Sequence, residues 1–221
     1  MKKIVLLALC LMIMTAGAFA QDMAIGGGIM YNNTSSLMKQ SGSYSYYGNI
    51  SWEQEITMIR NGFGGFAFFG LGRFLELNLG FMYKNPSELK YKYTETDGYN
   101  TYTQSGTWKG SELEDEFGGT AALQLGIYFK YPIPINDFLV FFPTGGADFE
   151  LSLSDEKWDS FSWWHDLWVR AGVGLDIFLG QKTFLRGHVI YGVALPIGAD
   201  KDMGLTVGHG LLIKFGVGFM L

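Results

Sequence analysis

Gly210-Leu-Leu-Ile-Lys-Phe-Gly-Val-Gly-Phe-Met-Leu221 closes the chain and decides how the rest of it is read. Leu211, Ile213, Phe215, Val217, Phe219 and Leu221 occupy one set of alternate positions, and Leu212, Lys214, Gly216, Gly218 and Met220 the other. Successive side chains of an extended strand point to opposite faces, so one face is bulky and apolar while the other is mostly glycine with a single lysine. A soluble sheet would pack the bulky row on a second layer and turn the other to water, yet a row of glycine makes a poor solvated surface. A barrel wall with hydrocarbon outside and a tight polar interior accounts for both rows.

The same alternation recurs upstream. Residues 23 to 31 set Ala24, Gly26, Gly28 and Met30 against Met23, Ile25, Gly27, Ile29 and Tyr31. Residues 59 to 69 carry Phe66, Phe68 and Phe69 on both faces, which leaves the phase open; Arg60 would set the even positions inward. Residues 75 to 83 are unambiguous, with Leu75, Leu77, Leu79, Phe81 and Tyr83 facing away from Glu76, Asn78, Gly80 and Met82. A glutamate in a purely apolar soluble layer would be costly, whereas in a polar lumen it is ordinary. Residues 121 to 131, 138 to 151, 167 to 177 and 185 to 193 repeat the pattern, which makes eight strands with the last. Pro86 is expected to interrupt the chain after the third strand, and Pro143 to mark a bulge, because proline cannot donate to a ladder.

The connections alternate in length. Turns near residues 70, 134 and 181 are short, and the stretches after residues 31, 83, 151 and 195 are expected to be long loops. The first of these, residues 32 to 55, is rich in Asn, Ser, Tyr and Gly. The second contains a hairpin over residues 90 to 103, signalled by Asp97-Gly98 between alternating runs. Its faces are polar or tyrosine, so it is expected to stand in water, followed by an acidic return loop over residues 110 to 119. The third, residues 152 to 165, is rich in tryptophan. Short turns at one end and long loops at the other are the habit of barrels in a bacterial outer membrane. Aromatic girdles are expected at both interfaces, with Tyr31, Tyr83, Trp168 and Tyr191 at one level and Phe74, Tyr131, Phe138 and Phe219 at the other.

Residues 1 to 20 are expected to be a cleaved signal peptide and 21 to 221 the barrel. Lys2 and Lys3 precede an apolar run too short to span a bilayer, and Ala18-Phe19-Ala20 fits a cleavage site. Cleavage removes Cys10, the only cysteine, and two of 16 basic residues, leaving 14 against 21 acidic and a net charge of −7. That excludes disulfides and cysteine chemistry in the exported chain and argues against nucleic acid as a partner. With 31 glycines, 16% aromatic residues and few prolines, the composition is that of many short strands.

The signal peptide, the glycine-lined strands and the C-terminal strand with Phe219 as its penultimate outward residue resemble the small outer-membrane barrels grouped around outer membrane proteins A, X and W. The resemblance covers the whole mature chain as a pattern, not as a motif. It implies an all-β, antiparallel, up-and-down transmembrane barrel of eight strands, with short periplasmic turns and long extracellular loops. It also implies a C-terminal strand, Phe215, Val217, Phe219 and Leu221, presented to the barrel assembly machinery, although many such barrels end on Phe where this chain ends on Leu221.

The inward positions hold Glu76, Asp148, Glu150 and Asp176 against Lys130, Arg170, Arg186 and Lys214, with His188 beside them. Opposite charges confined in a lumen just wide enough for its own side chains are expected to pair into a plug. Outside the wall, the residues expected to meet a partner are Tyr91, Tyr93, Asp97, Gly98, Tyr99 and Tyr102 of the hairpin, with Trp158, Trp163 and Trp164 of the third loop. No enzymatic activity and no cofactor are expected: His165, next to Asp166, and His209 lack a nucleophile at motif spacing. The expected roles are surface interaction, adhesion or envelope integrity through the loops of a monomer in contact with outer-membrane lipid and an extracellular protein. The alternative is transport of a small hydrophobic ligand, and a soluble exported calyx-like barrel is the third reading.

Overall fold

The computed structural model describes residues 23–45, 49–110, 113, 118–154, 164–197 and 205–221. The expected signal peptide, Trp158 and Trp163 lie outside them, as does most of the acidic stretch after Gly110. The described chain is all β: β1 (Ala24–Ser45), β2 (Asn49–Leu71), β3 (Leu75–Thr96), β4 (Thr101–Lys109), β5 (Thr120–Lys130), β6 (Ile133–Asn136), β7 (Leu139–Ser154), β8 (Trp164–Phe178), β9 (Thr183–Ile197) and β10 (Leu205–Met220). They form one antiparallel sheet of 10 strands. β1 pairs with β2 on one side and β10 on the other, β2 also pairs with β3, and the order continues through β5, β7, β8 and β9 back to β10. Eight strands thus close a ring, while β4 extends β3 alone and β6 pairs only with β7.

The first and last strands zip along their length, from Ala24↔Met220 to Lys39↔Leu205. The alternation places residues as expected: Phe215 is 55% exposed on the outside and its neighbour Lys214 is 2% exposed on the inside. Ile29, Phe81, Ile127, Phe129 and Val169 extend the exposed apolar belt around the ring. β2 follows the phase set by Arg60, with Phe66 and Phe68 buried inside and Phe63 exposed. The interior is more apolar than a plug of charges: Met30, Phe66, Phe68, Met82, Phe184 and Leu212 share a buried cluster around it.

Three sequence expectations fail, the first two of them at the end opposite Met23 and Leu221. Residues 32 to 45 and 49 to 55 are not a loop; they continue β1 and β2, paired as far as Ser45↔Asn49. Pro86 does not interrupt β3. The strand passes through it with a β-bulge, where Ile59 faces Glu88 but Arg60 faces Pro86, and the extra residue, Ser87, donates its hydroxyl to the Ile59 carbonyl at 3.1 Å. Pro143 marks no bulge either. It pairs regularly with Val173, where the neighbour of β7 changes from β5 to β6, and the irregularity falls on β6 between Pro134 and Asn136. β1, β2 and β3 run to 22, 23 and 22 residues. A tilted strand crosses hydrocarbon in about 9–11 residues, so roughly half of each rises beyond any bilayer. Among the described residues β5 and β7 to β10 are shorter, at 11 to 16 residues, and the wall they describe is tallest at β1, β2 and β3.

Candidate functional site

The lumen network is built from the even-phase residues of six strands. At the end carrying the termini, Asp176 and Arg186 face each other across β8 and β9. Arg186 donates from Nε and Nη2 to the two Asp176 carboxylate oxygens, each at 2.7 Å, a bidentate pair that fits the planar guanidinium. Its Nη1 donates to Glu76 of β3, to which Lys130 also lies at 3.4 Å. The Arg186 guanidinium is stacked among rings, 4.4 Å from the Phe68 centroid and 4.8 Å from Phe184. Higher up, Asn78 links Glu76 to Lys214, donating to the carboxylate at 3.0 Å and accepting from the ammonium at 3.1 Å.

In the middle, Arg170 Nε sits 2.6 Å from Asp148 Oδ2, which also accepts the Tyr128 hydroxyl. The approach is close but not linear enough to count as a hydrogen bond, so charge more than geometry joins this pair. Arg170 also lies 4.3 Å over the Trp168 ring. Toward the tall end, Lys84 bonds to Glu150, which accepts from Gln124 at 3.0 Å. All four expected acids are therefore paired with cations.

Two expected members behave differently. Lys214 has no carboxylate within ion-pair distance among the described residues; it rests on Asn78 and on the faces of Tyr128 and Phe66. His188 is buried in the lumen but neither ring nitrogen has a hydrogen-bond partner, and its ring stands edge-on to Phe142 at 4.9 Å. It belongs to the aromatic packing and not to the network. Lys84, absent from the expected set, is within reach of the alternation: it is the next even residue after Met82, one position beyond the run over residues 75 to 83. Trp168, expected in a girdle, points inward and is buried; Tyr83, Tyr191, Phe74, Tyr131, Phe138 and Phe219 are exposed on the outside as expected.

The tall wall carries the other candidate residues. Because of the bulge at Ser87, odd residues of β3 continue the inward face above it, so Leu89, Tyr91 and Tyr93 join Met58, Ile56 and Trp52 of β2. Tyr91 packs on Trp108 of β4, ring centroids 5.9 Å apart. The opposite face holds Lys39, Glu53, Glu55, Lys90, Lys92 and the threonines of β4, with ion pairs Lys39–Glu55 at 3.2 Å and Glu88 with Lys90 and Lys109 at 3.4 Å. Within residues 90 to 103 the faces are polar or tyrosine as expected, with the tyrosines on the inward face and the lysines and threonines on the other; Leu89 and Trp108, outside that span, add apolar area to the tyrosine face. The tip is a four-residue connection, not a two-residue turn. Gly98 has φ 89, and the Asp97 carboxylate accepts the backbone N–H groups of Tyr99 at 2.9 Å and Asn100 at 2.6 Å. Those bonds, Asn100's first and Tyr99's second, hold the Asp97 carboxyl below its ordinary pKa. The bond Tyr93 donates to Glu95 raises its phenol. Tyr99 and Tyr102 stand free in solvent. Trp164 begins β8 opposite Ser152, and no side-chain cluster with Trp158 and Trp163 falls within the described residues.

Among the described residues no group of three or more His, Cys, Asp or Glu is placed to hold a metal ion. No family model and no curated protein matches the chain. Solved structures similar to it include the outer membrane protein OprG from Pseudomonas aeruginosa, at 12% identity over 91% of this chain and 96% of that one, TM-score 0.41. The outer membrane protease OmpT from Escherichia coli aligns at 7% identity over 90% and 97%, TM-score 0.36, and the outer membrane protein AlkL at 10% identity over 91% and 90%, TM-score 0.38. All three are outer-membrane proteins, and one of them is a protease. At such scores the functional argument rests on the residues of this chain alone.

Proposed function

We propose that the chain is an integral barrel of the bacterial outer membrane, exported by a cleaved signal peptide over residues 1 to 20 and inserted as a monomer, that presents its tall sheet on the cell exterior as an interaction surface. The exposed apolar belt around a charged interior supports insertion in lipid over a soluble calyx, since a soluble monomer rarely exposes so large an apolar area. Short turns and both termini share one end, which is then periplasmic, and the C-terminal residues Phe215, Val217, Phe219 and Leu221 are the segment offered to the assembly machinery. The paired lumen supports a barrel closed at rest.

One observation carries the interaction role: β4 stands alone at the edge of the tall sheet. Its residues are exposed apart from half-buried Gly106, it contains no proline, and among the described residues no second strand pairs with its outer edge, the edge a partner's strand would add to. The partner this fits is an extended segment of an extracellular protein. Excising residues 97 to 109, which removes β4 and keeps the ring, should abolish binding to immobilised extracellular-matrix proteins or to host cells while heat-modifiable gel migration is unchanged. Full binding by the excised chain would overturn the reading.

The alternative, uptake of small hydrophobic molecules, draws support from the inward aromatic face of Trp52, Tyr91 and Trp108, which leads down to a vestibule of about 70 Å³ lined by Arg60, Lys84 and Trp168. Uptake by proteoliposomes that survives the same excision would favour it.

A further inference from the structure

Two rings on the inward face of the tall sheet lie flat on the strand beside them. Gly42 of β1 pairs with Trp52 of β2, and Gly106 of β4 with Tyr91 of β3. A Cβ at Gly42 would lie 2.8 Å from three atoms of the Trp52 indole, and one at Gly106 would run into the Tyr91 ring and hydroxyl. Each aromatic leans over a neighbour that has no side chain, so one ring face rests on the strand and the other looks away from the sheet. Both residues are half-buried, as that posture requires. Trp108, its ring centroid 5.9 Å from that of Tyr91, widens the second platform. Trp52 and Tyr91 stand two inward rows apart, and their rings lean to opposite sides, onto β1 and β4. Strand rise and spacing put the two platforms roughly 20 Å apart.

The row between them is made of amides. Gln40 of β1, Gln54 of β2, Tyr93 of β3 and Gln104 of β4 stand abreast on the same face. Each glutamine side chain offers two donors and an acceptor, and Tyr93 donates its hydroxyl to Glu95 at 2.8 Å. Glu95 is the only acid on the rows from Trp52 down to Met58, and no lysine or arginine is among them, because the lysines of the tall sheet lie on its other face. A hydrophobic molecule moving down this face would strip water from three amides and return no hydrogen bond.

A sugar unit is apolar on one face, through its C–H groups, and hydroxylated around its rim. The C–H face suits the negative face of an aromatic ring, and the rim suits side chains that donate and accept together. We infer that the inward face of the tall sheet binds a neutral oligosaccharide, with sugar units stacked on Trp52 and on Tyr91 and the units between them bonded through their hydroxyls to Gln40, Gln54 and Gln104. The distance between the platforms selects a chain of several units over a single sugar. With Glu95 present and no cation on the face, the charge of a sulfated or sialylated chain would find no partner there. The outer edge of β4 is a separate surface of the same sheet, so a saccharide and an added strand do not compete for the same groups.

The test uses the full mature chain in a zwitterionic detergent without a sugar headgroup. It is applied to an array of neutral tri- to hexasaccharides of glucose, galactose, mannose and N-acetylglucosamine, with sialylated and sulfated counterparts beside them. At least one neutral chain should bind, more tightly than its acidic counterpart and about tenfold more tightly than its monosaccharide. Titration calorimetry with the best-bound chain should show about tenfold weaker binding for Gln54→Leu and for Trp52→Ala, in barrels that keep heat-modifiable migration. Gln54→Leu separates the ligand classes by sign: it makes the face more apolar, so a saccharide is held more weakly and a hydrophobic ligand more tightly. Binding of matrix proteins by the same chains reports on β4 separately. An array with no neutral chain bound, a preference for acidic chains, or saccharide binding unchanged by Gln54→Leu would overturn the assignment.

Discussion

Ion pairs occur in two regions of this molecule, and the same chemistry has different consequences in each. In the bore, Arg186 holds Asp176 and Glu76 with all three side chains almost wholly removed from solvent. On the outer face of the tall sheet, Lys39 and Glu55 meet at 3.2 Å, yet their side chains remain 47% and 37% exposed. Exposed pairs exchange water for a partner at nearly equal free energy and are screened by salt, so their contribution is about 0–1 kcal/mol. Buried pairs have no water to return to. Removing one member strands a charge at a cost of about 3–5 kcal/mol, although the intact pair adds little compared with an apolar equivalent. The lumen charges are therefore better understood as parts that must be present together than as a reserve of stability.

The contrast can be broken most severely at the seam that encloses the bore. Gly28 sits where a Cβ would run into the backbone carbonyl of Phe215 and the Cα of Gly216 on β10. Gly28→Val should prevent closure of β1 on β10, seen as loss of heat-modifiable migration after refolding into detergent. Arg186→Met comes next. It leaves Glu76 with Lys130 and Asn78, and Asp176 with no ion-pair partner among the described residues, and should lower unfolding stability in urea by about 3–5 kcal/mol. Changing Arg186, Asp176 and Glu76 together to apolar residues of similar size should recover most of that loss, and a failure to recover would show that the bore depends on charge itself. Lys39→Ala, by the opposite expectation, should lower the unfolding stability in urea by no more than about 1 kcal/mol, and the salt dependence of that contribution should vanish with the pair.

The smallest effect is expected at the hairpin tip. The folded-state pKa of Asp97 is depressed by the N–H groups of Asn100 and Tyr99, so the order it confers is complete above its ordinary value of 3.8 and is lost as pH falls through the lower folded value. Amide hydrogen exchange at Tyr99 and Asn100 should accelerate, relative to its intrinsic pH dependence, only in that acid window. Asp97→Asn should remove the pH dependence without disturbing the bore.

How much of this was legible in the sequence follows from the range of each signal. Facing inward or outward is a property of neighbouring residues and was readable except in the second strand, where phenylalanines on both faces left the phase open and Arg60 alone favoured the even set. Strand ends were not. Residues 32 to 45 contain no apolar alternation strong enough to mark a strand, because both their faces lie beyond the hydrocarbon, and they are extended because β2 pairs with them residue by residue. That the hairpin's tyrosine face continues the inward face of the wall was hidden for a related reason: the one-residue bulge at Ser87 shifts the phase midway along β3, and a steady period of two cannot anticipate it.

The site divides along the same line. Alternation alone placed Glu76, Asp148, Glu150, Asp176, Lys130, Arg170, Arg186 and Lys214 inside, since side-chain direction follows from local backbone geometry. Which of them touch was decided only when the ring closed. The stagger between strands sets Asp176 opposite Arg186 and brings Lys84 to Glu150 and Lys214 to Asn78 instead of to an acid, and it leaves His188 among rings with neither nitrogen bonded. Contacts across a barrel depend on tilt and register summed over every strand between the partners, and no short stretch of chain carries that sum.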